Sequence, residues 1–196
     1  MNAPQDEPRT SEARLREVTL GEPDRVRSTI ELREYDPRWP ALYEAEAGRL
    51  RAALGDAIRR LEHVGSTAVP GLCAKPKIDV LLLVADAAAE GAYVPALERA
   101  GYVLRVREPD WFEHRLLRRP GAEVNVHVFT DGCPEAARML AFRDRLRAHA
   151  GDRERYAAAK RELAGRTWEF VQHYADAKTA VVAEILARAD GAGPVD

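Results

Sequence analysis

Length, composition and charge limit what this chain of 196 residues can do. Its 30 basic and 32 acidic residues give a formal net charge of -2, which argues against bulk electrostatic binding of nucleic acid or of an anionic membrane. A hydrophobic fraction of 46% is enough for one well-packed domain.

The N-terminal part of the chain is predicted to contain an arm, a strand and a helix. Residues 1–27 are rich in Pro, Asp, Glu and Arg, a composition typical of a mobile or loosely packed arm, although a few apolar residues give it something to dock with. Alternating apolar and polar residues over 28–34 predict a short strand. Asp36 before Pro37 then indicates the start of a long helix that ends at Gly55.

The centre of the chain has two predicted strands separated by a loop of small residues. The first strand ends at Val64, and the loop that follows contains Gly65, Ser66 and Gly71. The second strand, Ile78 to Val84, is apolar on both faces apart from one acid. Such a pattern predicts a central strand covered by helices.

The remaining elements complete an α+β pattern. Residues 86–101 predict a helix that Pro95 kinks or breaks, and residues 102–107 and 111–118 predict strands. The segment 112–129 resembles an antiparallel hairpin. Helices are expected from Pro134 onward, then over 152–164 and 167–189, so that the last third of the chain is helical throughout.

The loop after Val64 has the properties of an anion site. Small residues let the backbone approach a ligand closely and direct N–H groups at phosphate oxygens, and Lys75 and Lys77 follow within reach. Asp79, inside the apolar strand, needs a partner because a lone buried carboxylate costs several kcal/mol. The two explanations are a structural hydrogen bond or arginine pair, and a functional role beside the phosphate loop.

At this point the residues resemble a known family. The string EHVGSTAVPGL-x-AKP-x-ID, from Glu62 to Asp79, is similar to the signature of the GrpB family of bacterial proteins, which is placed in the nucleotidyltransferase superfamily. The similarity covers about residues 29–188 and continues in YDPRWPALYEAE (35–46), NVHVF (125–129), FRDRLRAH (142–149) and YAAAKRELA (156–164).

The resemblance implies a fold and a domain organisation. We expect an α+β fold, with a nucleotidyltransferase-like mixed sheet flanked by helices and a C-terminal helical segment. Residues 28–190 would form one such domain, with an α/β core over 28–130 and a helical part over 131–190.

The resemblance also implies a metal-dependent site, from which this chain departs. The superfamily pattern is a Gly-Ser turn, a strand with two acids two residues apart, and a third acid on another strand, which hold Mg²⁺ or Mn²⁺. Here Asp79 stands without its partner: if Asp79 is the second acid, Lys77 replaces the first, and if Asp79 is the first, Leu81 replaces the second. Asn125 and His127 share one face of a later strand, and His127 is the residue set against Asp79. Glu123 on that face is a weaker candidate for the third acid.

The candidate site residues fall into three groups. Asp79 and His127 are the expected catalytic and metal-binding pair. The expected phosphate-binding or nucleotide-binding residues are Gly65, Ser66, Thr67, Lys75 and Lys77. Further candidates are His63, Asn125, Arg143, Tyr156 and Lys160, together with Tyr174 and Lys178, which repeat the Tyr-x-x-x-Lys spacing. His114 ranks below His127, and the arginines at 105, 107, 115, 118 and 119 are either a solvated face or phosphate clamps.

Three functions remain open at this point. The first is an enzyme that binds a nucleotide or phosphorylated metabolite at the Gly65-Ser66 loop and transfers a nucleotidyl group with a divalent metal. The second is a catalytically degenerate module that binds such a small molecule. The third is a partner-binding protein that uses the helical tail. Widely spaced cysteines, a polar N-terminus and the lack of a long apolar run predict a cytoplasmic protein.

Overall fold

The computed structural model describes residues 10–190 as seven helices and seven strands. The helices are α1 (Glu12–Val18), α2 (Trp39–Leu54), α3 (Val94–Arg99), α4 (Pro134–Ala148), α5 (Ala150–Ala164), α6 (Val171–Asp176) and α7 (Thr179–Asp190). The strands are β1 (Arg25–Ser28), β2 (Arg60–Val64), β3 (Ile78–Val84), β4 (Val103–Glu108), β5 (His114–Arg118), β6 (Val124–Thr130) and β7 (Trp168–Phe170). No helix in this described part of the chain is both long and apolar enough to cross a membrane.

A mixed five-stranded sheet organises the fold. Its strand order is β2-β3-β6-β5-β4, with β3 and β6 parallel and the other neighbours antiparallel. The predicted central strand is confirmed as β3, whose residues are buried on both faces except at Asp79. The expected α+β fold with a mixed sheet flanked by helices is therefore confirmed, as is the hairpin that joins β5 to β6.

One face of the sheet carries the main hydrophobic core. Because side chains alternate along a strand, Val80 and Leu82 of β3 face α2 and α3 together with Val126 of β6. Helix α2 begins close to the predicted point, with the Asp36 carboxylate accepting a hydrogen bond from the Arg38 amide. Its buried face presents aromatic and aliphatic side chains to the strands.

The opposite face is apolar at one end and polar at the other. Leu81 and Leu83 pack with Phe129 against α4. Asp79 and His127 lie on the same face but are not part of this hydrophobic cluster. Because side chains alternate along each strand, the Asp79 carboxylate and the His127 imidazole lie side by side on the same face of the sheet as these leucines.

The described part of the N-terminal arm docks on the domain through some of its few apolar residues. Residues 1–9 of that arm lie outside the described residues. From residue 10 onward, α1 buries Leu15 and Val18 against the domain, and β1 pairs with β7. The strand expected over 28–34 does not form; β1 ends at Ser28, and Arg33 makes an isolated bridge to Ala74.

Two predicted helices are wrong in extent. The helix expected over 86–101 is a 3-10 turn, Glu90–Ala92, followed by the short α3, because Pro95 is accommodated only in a first turn. The helix expected over 167–189 is divided into β7, α6 and α7, so the last third is not helical throughout.

Candidate functional site

The bend after β2 brings the backbone against the Asp79 carboxylate. Gly65 has φ 70° and ψ -172°, a conformation available almost only to glycine. A Cβ atom at this position would lie 2.5 Å from Asp79 Oδ2. The 3-10 turn that follows uses the carbonyls of Gly65 and Ser66 as acceptors, which leaves the N–H groups of Ser66 and Thr67 without a partner inside the turn. The only acid of β3 therefore faces the glycine bend after β2.

The side chain of Asp79 is held from the neighbouring strand. Asn125 Nδ2 donates to Asp79 Oδ1 at 2.9 Å, and His127 Nε2 lies 3.5 Å from the same oxygen. Burial acts to raise the pKa of Asp79, but His127 and Asn125 together bring that pKa below its ordinary value. Asp79 is thus an ionised carboxylate, with 26% of its side chain exposed.

His127 belongs to a row of interacting polar side chains that runs across the sheet from β3 to β4. His114 Nε2 lies 3.2 Å from His127 Nδ1, and His114 Nδ1 lies 2.7 Å from Glu108 Oε2. Burial is the main reason that the pKa of His114 is lowered, so the ring is neutral and its single N–H donates to the Glu108 carboxylate. Its Nε2 then accepts from His127 Nδ1, so His127 Nε2 donates to Asp79 at the same time only when both nitrogens of His127 carry a proton. We call Asp79, His127, His114 and Glu108 the cross-sheet chain.

All the lysines of the chain gather around this loop. Burial and the neighbouring Lys77 lower the pKa of Lys75, whereas Asp79 opposes the shift. Burial and Lys75 lower the pKa of Lys178 to about 8. Burial lowers the pKa of Lys160 to about 7, and Lys178 adds to that effect. The four ammonium groups are therefore close enough to repel one another, and we call them the lysine cluster.

Two tyrosines accompany the lysines on the helical side. Tyr156 interacts with Ser66, and burial raises its pKa to about 12. The ammonium groups of Lys160 and Lys178 lie 4.8 and 4.3 Å from the ring centroids of Tyr156 and Tyr174, so the repeated Tyr-x-x-x-Lys spacing forms two cation–π pairs. Within the described residues, the buried hydroxyl of Tyr174 has no hydrogen-bond partner.

Three other predicted candidates make structural contacts. Thr67 donates to the Lys77 carbonyl and accepts from His63, which stacks on Tyr43 on the core face of the sheet. Burial lowers the pKa of His63 to about 4, so this ring is neutral. Arg143 is buried and bonds to Glu62 and to the His63 carbonyl. Their side chains support the strand before the loop.

Of the five arginines considered as phosphate clamps, four bind elsewhere. Arg107 and Arg115 both bond to Glu90, Arg119 bonds to Glu46, and Arg105 donates to the Glu22 carbonyl. Arg118 alone adjoins the site: its Nε donates to Asn125 Oδ1 at 3.2 Å, and it pairs with Asp24.

The donor set around Asp79 does not fit a two-metal centre. No group of three or more His, Cys, Asp or Glu residues in the described part of the chain is arranged to hold a metal ion. Asp79 and His127 supply two donors that already contact each other, and Lys77 pairs with Glu123 at 3.3 Å. Two divalent ions need more carboxylates than this to offset their charge.

A cavity of about 740 Å³ opens beside His127 on the same face of the sheet. His114 and Phe129 form part of its floor, and residues of α1 and α6 cover it. The Thr10 amide donates to Asp176, and His173 contacts the Thr10 carbonyl, so the N-terminal and C-terminal segments meet above the cavity. The sequence prediction placed neither α1 nor Glu108 beside His127 and found no sign of burial at His114, because their proximity depends on pairing between distant strands.

These observations define a class: a mixed α+β protein with a glycine turn, a lone acid on the central strand and a basic rim. The fold is similar to the crystal structure of the conserved protein GrpB from Enterococcus faecalis, with a TM-score of 0.69 and 32% identity, over 81% of this chain and 96% of that one. The GrpB protein family model matches residues 29–188. The chain belongs to the GrpB family.

Three further proteins are similar to this chain in sequence. A UPF0157 protein of Halalkalibacterium halodurans is 57% identical over 183 residues, which cover 93% of each chain. A UPF0157 protein of Streptomyces coelicolor is 46% identical over 163 residues, covering 83% of this chain and 86% of that one. A protein of Mycolicibacterium paratuberculosis named dephospho-CoA kinase is 33% identical over 169 residues, covering 72% of this chain but only 41% of that one.

Proposed function

We propose that this protein binds a phosphate-bearing small molecule between the Gly65-Ser66 turn and the lysine cluster. One observation carries the proposal: in a chain with many arginines, three of the four lysines interact electrostatically with Asp79 beside this turn, and the fourth, Lys160, adjoins Lys178 and donates to the Cys73 carbonyl. Gathering like charges costs free energy unless an anion offsets them, and Asp79 and Glu123 offset only part. A phosphate would receive N–H groups from the turn and ammonium groups from Lys75 and Lys178.

The lowered lysine pKa values support an anionic ligand. Lys160 and Lys178 titrate at about 7 and 8, so each is incompletely protonated near neutral pH in the free protein. A bound phosphate favours the charged form of each ammonium group and raises its pKa again. We therefore expect proton uptake on binding at about pH 7.5, measurable by calorimetry in buffers of different ionisation enthalpy.

Binding, rather than nucleotidyl transfer, is the function that the residues support best. Transfer would need metal-held phosphates, and the donors around Asp79 in the described part of the chain are too few for two ions. The similarity to part of a protein named dephospho-CoA kinase makes nucleotides and dephospho-CoA reasonable probes. The rest of that protein has no counterpart here, so its activity is not carried over.

The test is thermal melting with AMP, ATP, dephospho-CoA and inorganic phosphate, each with and without Mg²⁺. A ligand at about a hundred times its dissociation constant stabilises by roughly 2.7 kcal/mol. We expect a shift that Lys178→Gln reduces, whereas Arg99→Gln does not, because Arg99 is an exposed residue on α3 at the other face of the sheet. Equal shifts in both variants would refute the proposal.

The Asp79→Asn variant separates a binder from a metal-dependent enzyme. Removing a negative charge beside the phosphate leaves anion affinity equal or higher when no metal takes part. If a single Mg²⁺ or Mn²⁺ bridges Asp79 to the ligand, the same variant loses the metal-dependent part of the shift. Retention of metal-independent binding in Asp79→Asn is the result we expect.

A further inference from the structure

The cavity beside His127 differs in chemistry from the lysine cluster. Its charged lining groups already have partners: Arg14 pairs with Asp110, Arg118 with Asp24, Glu108 with His114 and Glu135 with Arg138, while Arg105 donates to the Glu22 carbonyl and Asp176 accepts from the Thr10 amide. A further charged group placed there would lose water and would compete with these existing partners. The cavity is therefore suited to an uncharged group.

Aromatic rings form one wall of the cavity. Trp111 lies edge-on to His114 and Phe129, with ring centroids 5.3 and 5.8 Å apart, and 40% of Trp111 is exposed. The other two tryptophans, Trp39 and Trp168, are 3% and 2% exposed. Trp111 thus presents an indole to the cavity and to solvent rather than to the core.

The turn that carries Trp111 is strained. Phe112 and Glu113 have φ values of 55° and 52°, which are unfavourable for residues with a Cβ atom. Such conformations cost about 1–3 kcal/mol each and are concentrated at ligand-binding sites. Here they keep Trp111 and Phe112 at the rim, where 46% of Phe112 is also exposed.

The cavity and the lysine cluster adjoin the same pair of side chains. His127 lines the cavity with one part of its ring and faces Asp79 with Nε2, and Asp79 interacts electrostatically with Lys75, Lys77 and Lys178. A ligand that occupies both regions must therefore pass beside Asp79 and His127. The volume of about 740 Å³ falls within the usual range for small-molecule sites.

We infer that the ligand carries an uncharged planar ring system, of the size of a nucleobase, which occupies the cavity against Trp111. This inference rests on the proposed function, since it adds the second half of the same ligand. It assigns Trp111 and the β4–β5 turn to recognition of the ring, and the lysine cluster to recognition of the phosphate.

The experiment compares nucleoside 5′-monophosphates, ribose 5-phosphate and adenosine, with Trp111 emission and calorimetry as readouts. We expect a nucleotide to change Trp111 emission, and ribose 5-phosphate to bind more weakly without that change. Trp111→Ala should weaken nucleotide binding about 5- to 100-fold, as expected for loss of aromatic stacking on a base, and leave ribose 5-phosphate binding unchanged. Trp111→Phe, which keeps a ring, should restore most of the affinity.

The outcomes separate the two proposals. Equal affinity for ribose 5-phosphate and nucleotides, or an equal loss of both in Trp111→Ala, overturns the ring site and leaves the phosphate site standing. Equal affinity for adenosine and AMP, insensitive to Lys178→Gln, overturns the phosphate site and supports the cavity. Binding of none of these probes at millimolar concentration overturns both assignments for this ligand class.

Discussion

Replacing Gly65 with alanine tests the geometry on which the site depends. The new Cβ would lie 2.5 Å from Asp79 Oδ2 and 3.1 Å from Asp79 Cβ, closer than real Cβ atoms approach such neighbours. The backbone conformation at this position is also one that alanine avoids. Either the turn or the Asp79 carboxylate must move.

The expected destabilisation follows from two contributions. The backbone conformation costs about 1–3 kcal/mol for a residue with a Cβ atom. Displacing the carboxylate removes the hydrogen bond from Asn125, and a hydrogen bond to a charged group contributes about 1.5–3 kcal/mol. We therefore expect Gly65→Ala to lower the free energy of unfolding by roughly 2.5–6 kcal/mol.

Urea unfolding of the variant and of a matched control measures this change. Gly48 is an exposed residue of α2, and a Cβ atom added there would meet no other atom within 4 Å, so Gly48→Ala should stabilise by about 0.5–1 kcal/mol. In an Asp79→Ala background, Gly65→Ala should cost less, because the closest oxygen is gone. A change below about 1 kcal/mol for Gly65→Ala, or full additivity with Asp79→Ala, would refute the reasoning.

Three further predictions concern buried polar groups. The Tyr174 hydroxyl has no hydrogen-bond partner within the described residues, so Tyr174→Phe should leave the free energy of unfolding unchanged or raise it by up to about 1 kcal/mol. Tyr102→Phe is the control: it loses a 2.6 Å hydrogen bond to Glu46 and should lower the free energy of unfolding by about 1.5–3 kcal/mol. Similar losses of stability in the two variants would contradict this prediction. The pKa of His63 falls from 6.5 unfolded to about 4 folded, so as pH drops from 6.5 to 4 the unfolded chain binds the proton first. Stability should then fall by about 3 kcal/mol across this window, and a pH titration of His63→Gln should lack that part of the slope. His114→Phe keeps a ring on Phe129 but leaves Glu108 without its donor, so urea unfolding should show a loss of about 1–3 kcal/mol, and an unchanged midpoint would argue against the cross-sheet chain.

Local sequence patterns were sufficient to predict the central strand β3 and the alternation of side chains along β6. The apolar run of Ile78 to Val84, interrupted only by Asp79, gave the central strand with its observed bounds, and alternation placed Asn125 and His127 together on one face of a later strand. Both follow from the two-residue period of a strand, which needs no information about partners.

The errors lie where distant segments decide the structure. Trp168, Val171 and Tyr174 have a spacing that fits a helix, but residues 168–170 form a strand because β1 is available to pair with them. His114 has no local sign of burial, since its environment comes from the turn before β5 and from β6. Lys160 and Lys178 join Lys75 only after α5, α6 and α7 fold back onto the loop.

The pairing of β1 with β7 bears on how the molecule forms during translation. The edge of β1 emerges from the ribosome early, but its partner strand emerges only after most of the domain has been made, on the order of ten seconds later at ordinary elongation rates. The sheet can assemble in the meantime, because all its strands precede α4. The α6 side of the cavity is therefore added after the sheet can assemble, whereas α1 is bound to β4 through Thr19 and Leu20. A nascent chain stalled before β7 would hold an assembled sheet and a cavity without its α6 wall.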